Sequence, residues 1–218
     1  MAKSMIDKLN FYNRSYINMD ITNRCTLECP KCIRQIFRNK KEKIPGSDMP
    51  MKHFDMLLKK FDRFVFCGQL SDPIFHPKFI EILQKLRDNN KKASIHTAAS
   101  QKSVEWYEKA FKTFPDANWH FGIDGLPKDS HKYRINQDGE KLFDVMVMAS
   151  KIVKKVFWQY IIFKYNENDI QECQQLAEKH KIHFKVVHSS RFFDVDEYKP
   201  TKNNFYVKRN HYTKEEIK

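Results

Sequence analysis

The chain alternates strand-like and helix-like segments over most of its length, and this order limits its fold more than any other feature. Strand-like runs lie at Tyr16 to Ile21, Phe64 to Cys67, Ala93 to Thr97, Trp119 to Ile123, Val156 to Phe163 and Phe184 to His188. Between them, apolar residues recur at helical spacing. Phe54, Leu57, Leu58 and Phe61 form one such face, and Phe79, Ile80, Leu83 and Leu86 the next. Val104, Tyr107, Ala110 and Phe111 mark a third helix. Leu142, Val145, Met146, Ala149 and Val153 mark a fourth, and Ile170, Cys173, Leu176 and Ala177 a fifth. Strands joined through helices pair in parallel, and right-handed crossovers curl the sheet. Six units are fewer than the eight that close a barrel. The expected architecture is therefore α/β: a partial (β/α)6 barrel, open on one side, with its site at the C-terminal ends of the strands.

This core spans residues 1–191, including a short N-terminal lead. Residues 192–218 break the alternation and interleave Phe205, Tyr206 and Tyr212 with Lys199, Lys202, Lys208 and Arg209. They read as a C-terminal extension whose aromatics pack on or near the open side of the barrel.

At 218 residues, with 41% hydrophobic and 14% aromatic content, the chain is too apolar for a disordered one. Its longest apolar run falls well short of the ~18 residues of a membrane span. Met1 to Asp7 lacks the apolar core of a signal peptide. A cytoplasmic, membrane-free monomer is the expectation. The net charge of +13 fits a nucleic-acid partner, but it fits equally a composition rich in Lys, Asn, Ile and Phe. No dinucleotide or phosphate-binding glycine loop is present.

Cysteine usage narrows the chemistry. Three of the five cysteines fall in Cys25-Thr26-Leu27-Glu28-Cys29-Pro30-Lys31-Cys32, directly after the first strand. An odd, clustered set in a reducing compartment argues against disulfides and for a metal or cluster site. Three close thiolates can hold three corners of a cubane iron–sulfur cluster and leave the fourth iron open. A zinc site with a distant fourth ligand is the other reading, although no second ligand pair is visible.

The C-x3-C-x2-C spacing at this place resembles the signature of the radical SAM superfamily. The resemblance extends over roughly residues 15–191. It implies a [4Fe-4S] cluster on Cys25, Cys29 and Cys32, whose open iron binds S-adenosylmethionine. It also implies reductive cleavage to a 5′-deoxyadenosyl radical that abstracts hydrogen from a substrate. Gly68-Gln69-Leu70-Ser71-Asp72-Pro73 stands where relatives carry a Gly-Gly-Glu-Pro-like motif, so Asp72 is expected to face the methionine ammonium. Thr97 sits where a hydroxyl faces the cofactor. Gly122-Ile123-Asp124-Gly125 is similar to the family's Ser-x-Asp-Gly, with Asp124 matching and the Ser replaced by Gly122. Arg134 resembles the basic residue for the methionine carboxylate. Gln159 is expected near the ribose or substrate. Lys31 replaces an aromatic that relatives place beside the adenine, and its stem is expected to cover that ring. Reduced flavodoxin or ferredoxin is the implied electron donor.

Other residues have plainer readings. Cys67 and Cys173 are expected to be buried apolar residues, and His96 a satisfied core histidine. Arg191 is compatible with the site mouth or with a rim salt bridge. Arg34, Arg38, Lys40, Lys41 and Lys43 read as a solvated face, as a surface for an acidic electron donor, or as an RNA-docking surface. A zinc-stabilised nucleic-acid-binding protein is the competing function. The substrate, whether small molecule, nucleotide or RNA, or peptide, is not encoded in any motif. The loop 124–139 and the tail are where such information is expected.

Overall fold

The computed structural model describes residues 15–192 and 195–207. The lead segment Met1 to Asp7, and Lys208, Arg209 and Tyr212 of the tail, lie outside the described residues.

Six strands form one sheet in the order β1-β2-β3-β4-β5-β6. They are β1 (Tyr16–Asn18), β2 (Arg63–Phe66), β3 (Lys92–Thr97), β4 (Asn118–Gly122), β5 (Lys155–Ile161) and β6 (His183–Val187). Every neighbouring pair is parallel. The sheet does not close on itself, so the partial barrel stands as expected. Helices α2 (Met51–Leu58), α3 (Phe79–Asp88), α4 (Val104–Thr113), α5 (Gly139–Ser150) and α6 (Ile170–Lys179) follow the apolar stripes in the sequence. Side-chain caps start two of them: Ser103 accepts from the Trp106 amide, and Asp138 from the Lys141 amide. Among the described residues, no helix is long and apolar enough to cross a membrane.

Strand alternation sorts the side chains onto two faces. On β3, Ala93, Ile95 and Thr97 are buried, while Ser94 and His96 are only partly so. On β5, Val156, Trp158 and Tyr160 are buried against the helices. The main core lies between the sheet and the helices, with Phe54, Phe66, Phe79, Phe111, Trp119 and Trp158 at its centre. The other face of the sheet is concave, polar and open.

Two details depart from the sequence reading. A short helix, α1 (Arg34–Asn39), directly follows the cysteines within the basic run. Its few residues carry no apolar stripe long enough to announce it. The segment 124–139 is also not a plain loop, because Pro127–Lys132 forms a 3-10 turn.

The described tail packs on the loop after β5. The Lys164 amide donates to the Tyr198 carbonyl, and Thr201 donates to Glu167. Phe192, Tyr198 and Tyr206 join Tyr133 and Phe163 in a second aromatic cluster, which also touches Cys29.

Candidate active site

The three cysteines lie in one cleft at the C-terminal ends of the strands. Cys25, Cys29 and Cys32 line it together with Arg34, Asp72, Thr97, Arg134 and Gln159. The topology explains the convergence. Five successive strands of the parallel sheet contribute: the cysteines and Arg34 follow β1, Asp72 follows β2, Thr97 ends β3, Arg134 follows β4 and Gln159 lies on β5. Burial pushes the Cys25 thiol up to about 12 and raises that of Cys29. A cluster or metal bound here must therefore displace thiol protons.

The cysteine loop is held by an arginine of the basic run, which the sequence left open between a solvated face and a docking surface. Arg34 is only 7% exposed. Its Nη1 donates to the carbonyls of Asn23 at 2.7 Å and Leu70 at 2.5 Å, and its Nη2 to that of Cys25 at 3.4 Å. It clasps the cysteine loop to the loop after β2. Arg38 likewise donates to the Leu27 carbonyl. The basic run is thus partly structural, because two of its members satisfy carbonyls that the irregular loop leaves unpaired.

Asp20, just beyond β1, braces the loop after β2 from the other side. It accepts from the Gln69 amide at 3.0 Å and the Ser71 hydroxyl at 2.6 Å. Gly68 permits this tight turn, since a Cβ there would meet the Ser71 carbonyl oxygen at 2.0 Å.

Asp72 lines the cleft but is already engaged. Its Oδ2 accepts from the Thr97 hydroxyl at 2.9 Å and from the amides of Ala98 and Ala99 at 2.9 and 3.1 Å. Its Oδ1 accepts from the Ile74 amide at 3.3 Å. Burial raises its pKa, and these four donors oppose that shift. The carboxylate fixes the turn after β3 and orients Thr97.

Asp124 stands one layer behind the cleft and is fully buried. Its Oδ2 accepts from Arg134 Nε at 2.8 Å, and its Oδ1 from the Ile161 amide at 2.8 Å. Arg134, rather than Asp124, reaches the cleft. Gly122 makes room for it: an added Cβ would lie 2.9 Å from Arg134 Nη2 and 3.2 Å from Cζ. The glycine that replaces the family's serine therefore admits the guanidinium.

Lys31 does not line the cleft. Its Nζ pairs at 2.7 Å with Asp196 of the tail, whose side chain is fully buried. Its charged end thus ties the cysteine loop to the C-terminal extension. Cys173 is buried in the core as expected. Cys67 and His96 are not core residues, because both line the cleft.

No family model matches the chain. The tungsten-containing aldehyde ferredoxin oxidoreductase cofactor-modifying protein of Pyrococcus furiosus is 23% identical over 117 residues, 51% of this chain and 31% of that protein. Among solved structures, Streptococcus suis SuiB bound to S-adenosylmethionine matches with a TM-score of 0.65 at 14% identity, over 84% of this chain and 40% of SuiB. The enzyme anSMEcpe with bound AdoMet matches with a TM-score of 0.61 at 13% identity, over 88% of this chain and 56% of that one. Methylornithine synthase matches with a TM-score of 0.59 at 12% identity, over 79% and 52% of the two chains. These structures are radical SAM enzymes. This chain shares their fold. It spans 31% of the curated relative and about two-fifths of SuiB. At such identities the likeness is one of fold, and the radical SAM architecture agrees with the resemblance carried by the cysteine spacing.

Proposed function

We propose that the chain is a radical SAM enzyme that holds a [4Fe-4S] cluster through Cys25, Cys29 and Cys32. The observation that carries this reading is the opening of all three thiols into one cleft at the strand ends of a radical SAM fold. When bound, the cluster and S-adenosylmethionine supply reductive cleavage of the sulfonium to methionine and a 5′-deoxyadenosyl radical.

The donor set fits the cofactor. Three thiols opening into one cleft can hold three irons of a cubane and leave the fourth free for a ligand. Arg34 brings positive charge beside thiolates that become anionic on loading.

The chain's own residues then bind and orient. Arg134 is held charged and aimed by Asp124, and offers its remaining N–H groups to the methionine carboxylate. Thr97 presents its hydroxyl, fixed by Asp72. The role expected of Asp72 becomes one of positioning, because its oxygens already serve four internal donors. Gln159 lines the cleft on the substrate side. A reduced flavodoxin or ferredoxin supplies the electron. The surface that receives it is α1, where Ile33 and Ile36, 48% and 53% exposed, lie beside Arg38, Lys40 and Lys41.

The deciding experiment is anaerobic reconstitution followed by reduction with S-adenosylmethionine present. About four irons per chain and formation of 5′-deoxyadenosine are expected. A fully loaded protein that forms none defeats the reading, and one zinc without sulfide favours the competing nucleic-acid-binding function.

Gly122→Ala tests the arginine contact separately. The new methyl group crowds the end of Arg134 and lies 3.3 Å from the Ala98 Cβ, contacts that small shifts relieve, so the thermal midpoint should stay within a few degrees. Affinity for S-adenosylmethionine should fall about tenfold, which is ~1.4 kcal/mol. Unchanged affinity by calorimetric titration would remove Arg134 from the binding site.

A further inference from the structure

The cleft continues past the cysteines onto the concave face of the sheet. Here His96 of β3, His120 of β4, Phe157 of β5 and His183 of β6 occupy one register row. Their rings stack in series. His96 and His120 lie 4.0 Å apart at 7°, His120 and Phe157 4.4 Å at 6°, and Phe157 and His183 5.0 Å at 27°. Of these, His96 and His120 line the cleft. Burial pushes His96 down to about 4 and His120 to about 3, so both are neutral at ordinary pH. Gln159 of β5 lines the same cleft and favours the protonated form of His96.

Two cations overlook this row. Lys185 on β6 stands in register with Gln159, and Arg191 follows β6 and lines the cleft. Both side chains are exposed, and neither makes an ion pair among the described residues. Their charge reaches the cleft all the same. Lys185 disfavours protonation of both histidines, and both cations oppose the rise of the Cys67 thiol. The nearby carboxylates are committed elsewhere. Asp124 is paired with Arg134, Asp72 serves four donors, and Asp20 braces the loop after β2. The face therefore combines two unneutralised cations with neutral imidazoles that can give or take a hydrogen bond without adding charge.

We infer that this end of the cleft is the substrate subsite, and that it selects a small organic anion. Lys185 and Arg191 hold its carboxylate or phosphate, while its uncharged part lies against His96, His120 and Gln159. The word substrate rests on the proposed function, but the anion site itself does not. The paired cations set the charge requirement, and Arg191 adds the planar fork suited to two-oxygen groups. The imidazole row gives the rest of the molecule a wall of fixed shape. A neutral or cationic molecule would leave the two charges unmatched.

Calorimetric titration of the anaerobically reconstituted full chain tests this, with inorganic pyrophosphate and citrate as separate probes. The titrations belong at roughly 0.15 M salt, where diffuse surface attraction is screened. Saturable binding of at least one probe is expected, and the tighter one separates a phosphate from a carboxylate substrate. Lys185→Gln and Arg191→Gln should each weaken that binding at least tenfold. Lys155→Gln, at the exposed start of β5, should leave it unchanged. The inference is overturned if neither probe binds, or if Lys155→Gln weakens binding as much as the other two. Lost anion binding with intact 5′-deoxyadenosine formation removes the subsite alone. Intact anion binding without 5′-deoxyadenosine removes the proposed chemistry and leaves the anion site standing.

Discussion

Arg34→Met should cost the chain both its cysteine loop and its cluster. Methionine fills much of the same space but donates nothing, so the carbonyls of Asn23, Leu70 and Cys25 lose their partner together. Hydrogen bonds from a charged donor contribute about 1.5–3 kcal/mol, and orphaned buried carbonyls add their own desolvation cost. A loss of about 3 kcal/mol is expected from denaturant unfolding. The loop should also lose its register with the loop after β2. Iron and sulfide after reconstitution should therefore fall to under a third of the unmodified level. Arg38→Met is the comparison. Arg38 donates only to Leu27 at 3.2 Å and is paired loosely with Glu28 at 4.0 Å, so its loss should be mild. Equal iron content in the two variants would show that the clasp plays no part in loading.

Asp124→Ala should destabilise the chain about as much as Arg34→Met. The carboxylate is fully buried, and it neutralises an arginine whose side chain is 14% exposed. Removing it strands the guanidinium and leaves the Ile161 amide unpaired. Breaking a buried pair from one side costs roughly 3–5 kcal/mol. Part of this can be recovered, because Arg134 has some access to the open cleft. A fall of about 3 kcal/mol in unfolding free energy is expected, together with loss of S-adenosylmethionine binding. Asp124→Asn keeps an acceptor for Ile161 and should recover part of the stability but little of the affinity. If the alanine variant unfolds at the same denaturant concentration as the unmodified chain, the ion pair is not a structural element.

The fold was legible in the sequence because its signals are periodic. Apolar stripes over eight to twelve residues and β-branched or aromatic runs between them place α2 to α6 and β2 to β6 within a few residues. The three-cysteine spacing is local, so it too is readable without a structure. What escaped depends on distant parts of the chain. Arg34 sits among basic residues and looks solvated until the carbonyls of Asn23 and Leu70 are brought around it. Lys31 gives no sign of an ion pair until the tail delivers Asp196. Asp72 looks like a free carboxylate until β3 places two amides and a hydroxyl on it. Gly122 looks like a lost serine until Arg134 folds back over it. Asp20 carried no signal at all, since an aspartate after a strand is commonplace. In each case the residue's identity was visible, and its partner lay ten or more positions away.

The strand order carries a consequence for how the molecule comes into being. Each strand pairs only with its immediate predecessor and successor in sequence. The sheet can therefore grow one βα unit at a time as the chain emerges from the ribosome, with no strand waiting for a distant partner. The site matures on a different schedule. Cys25, Cys29 and Cys32 emerge first, and Arg134, Gln159 and Asp196 follow about a hundred residues later or more. Until then the thiols sit in a half-built, water-filled cleft. A cluster of the kind proposed would then enter only after translation has passed the tail residues that tie down Lys31.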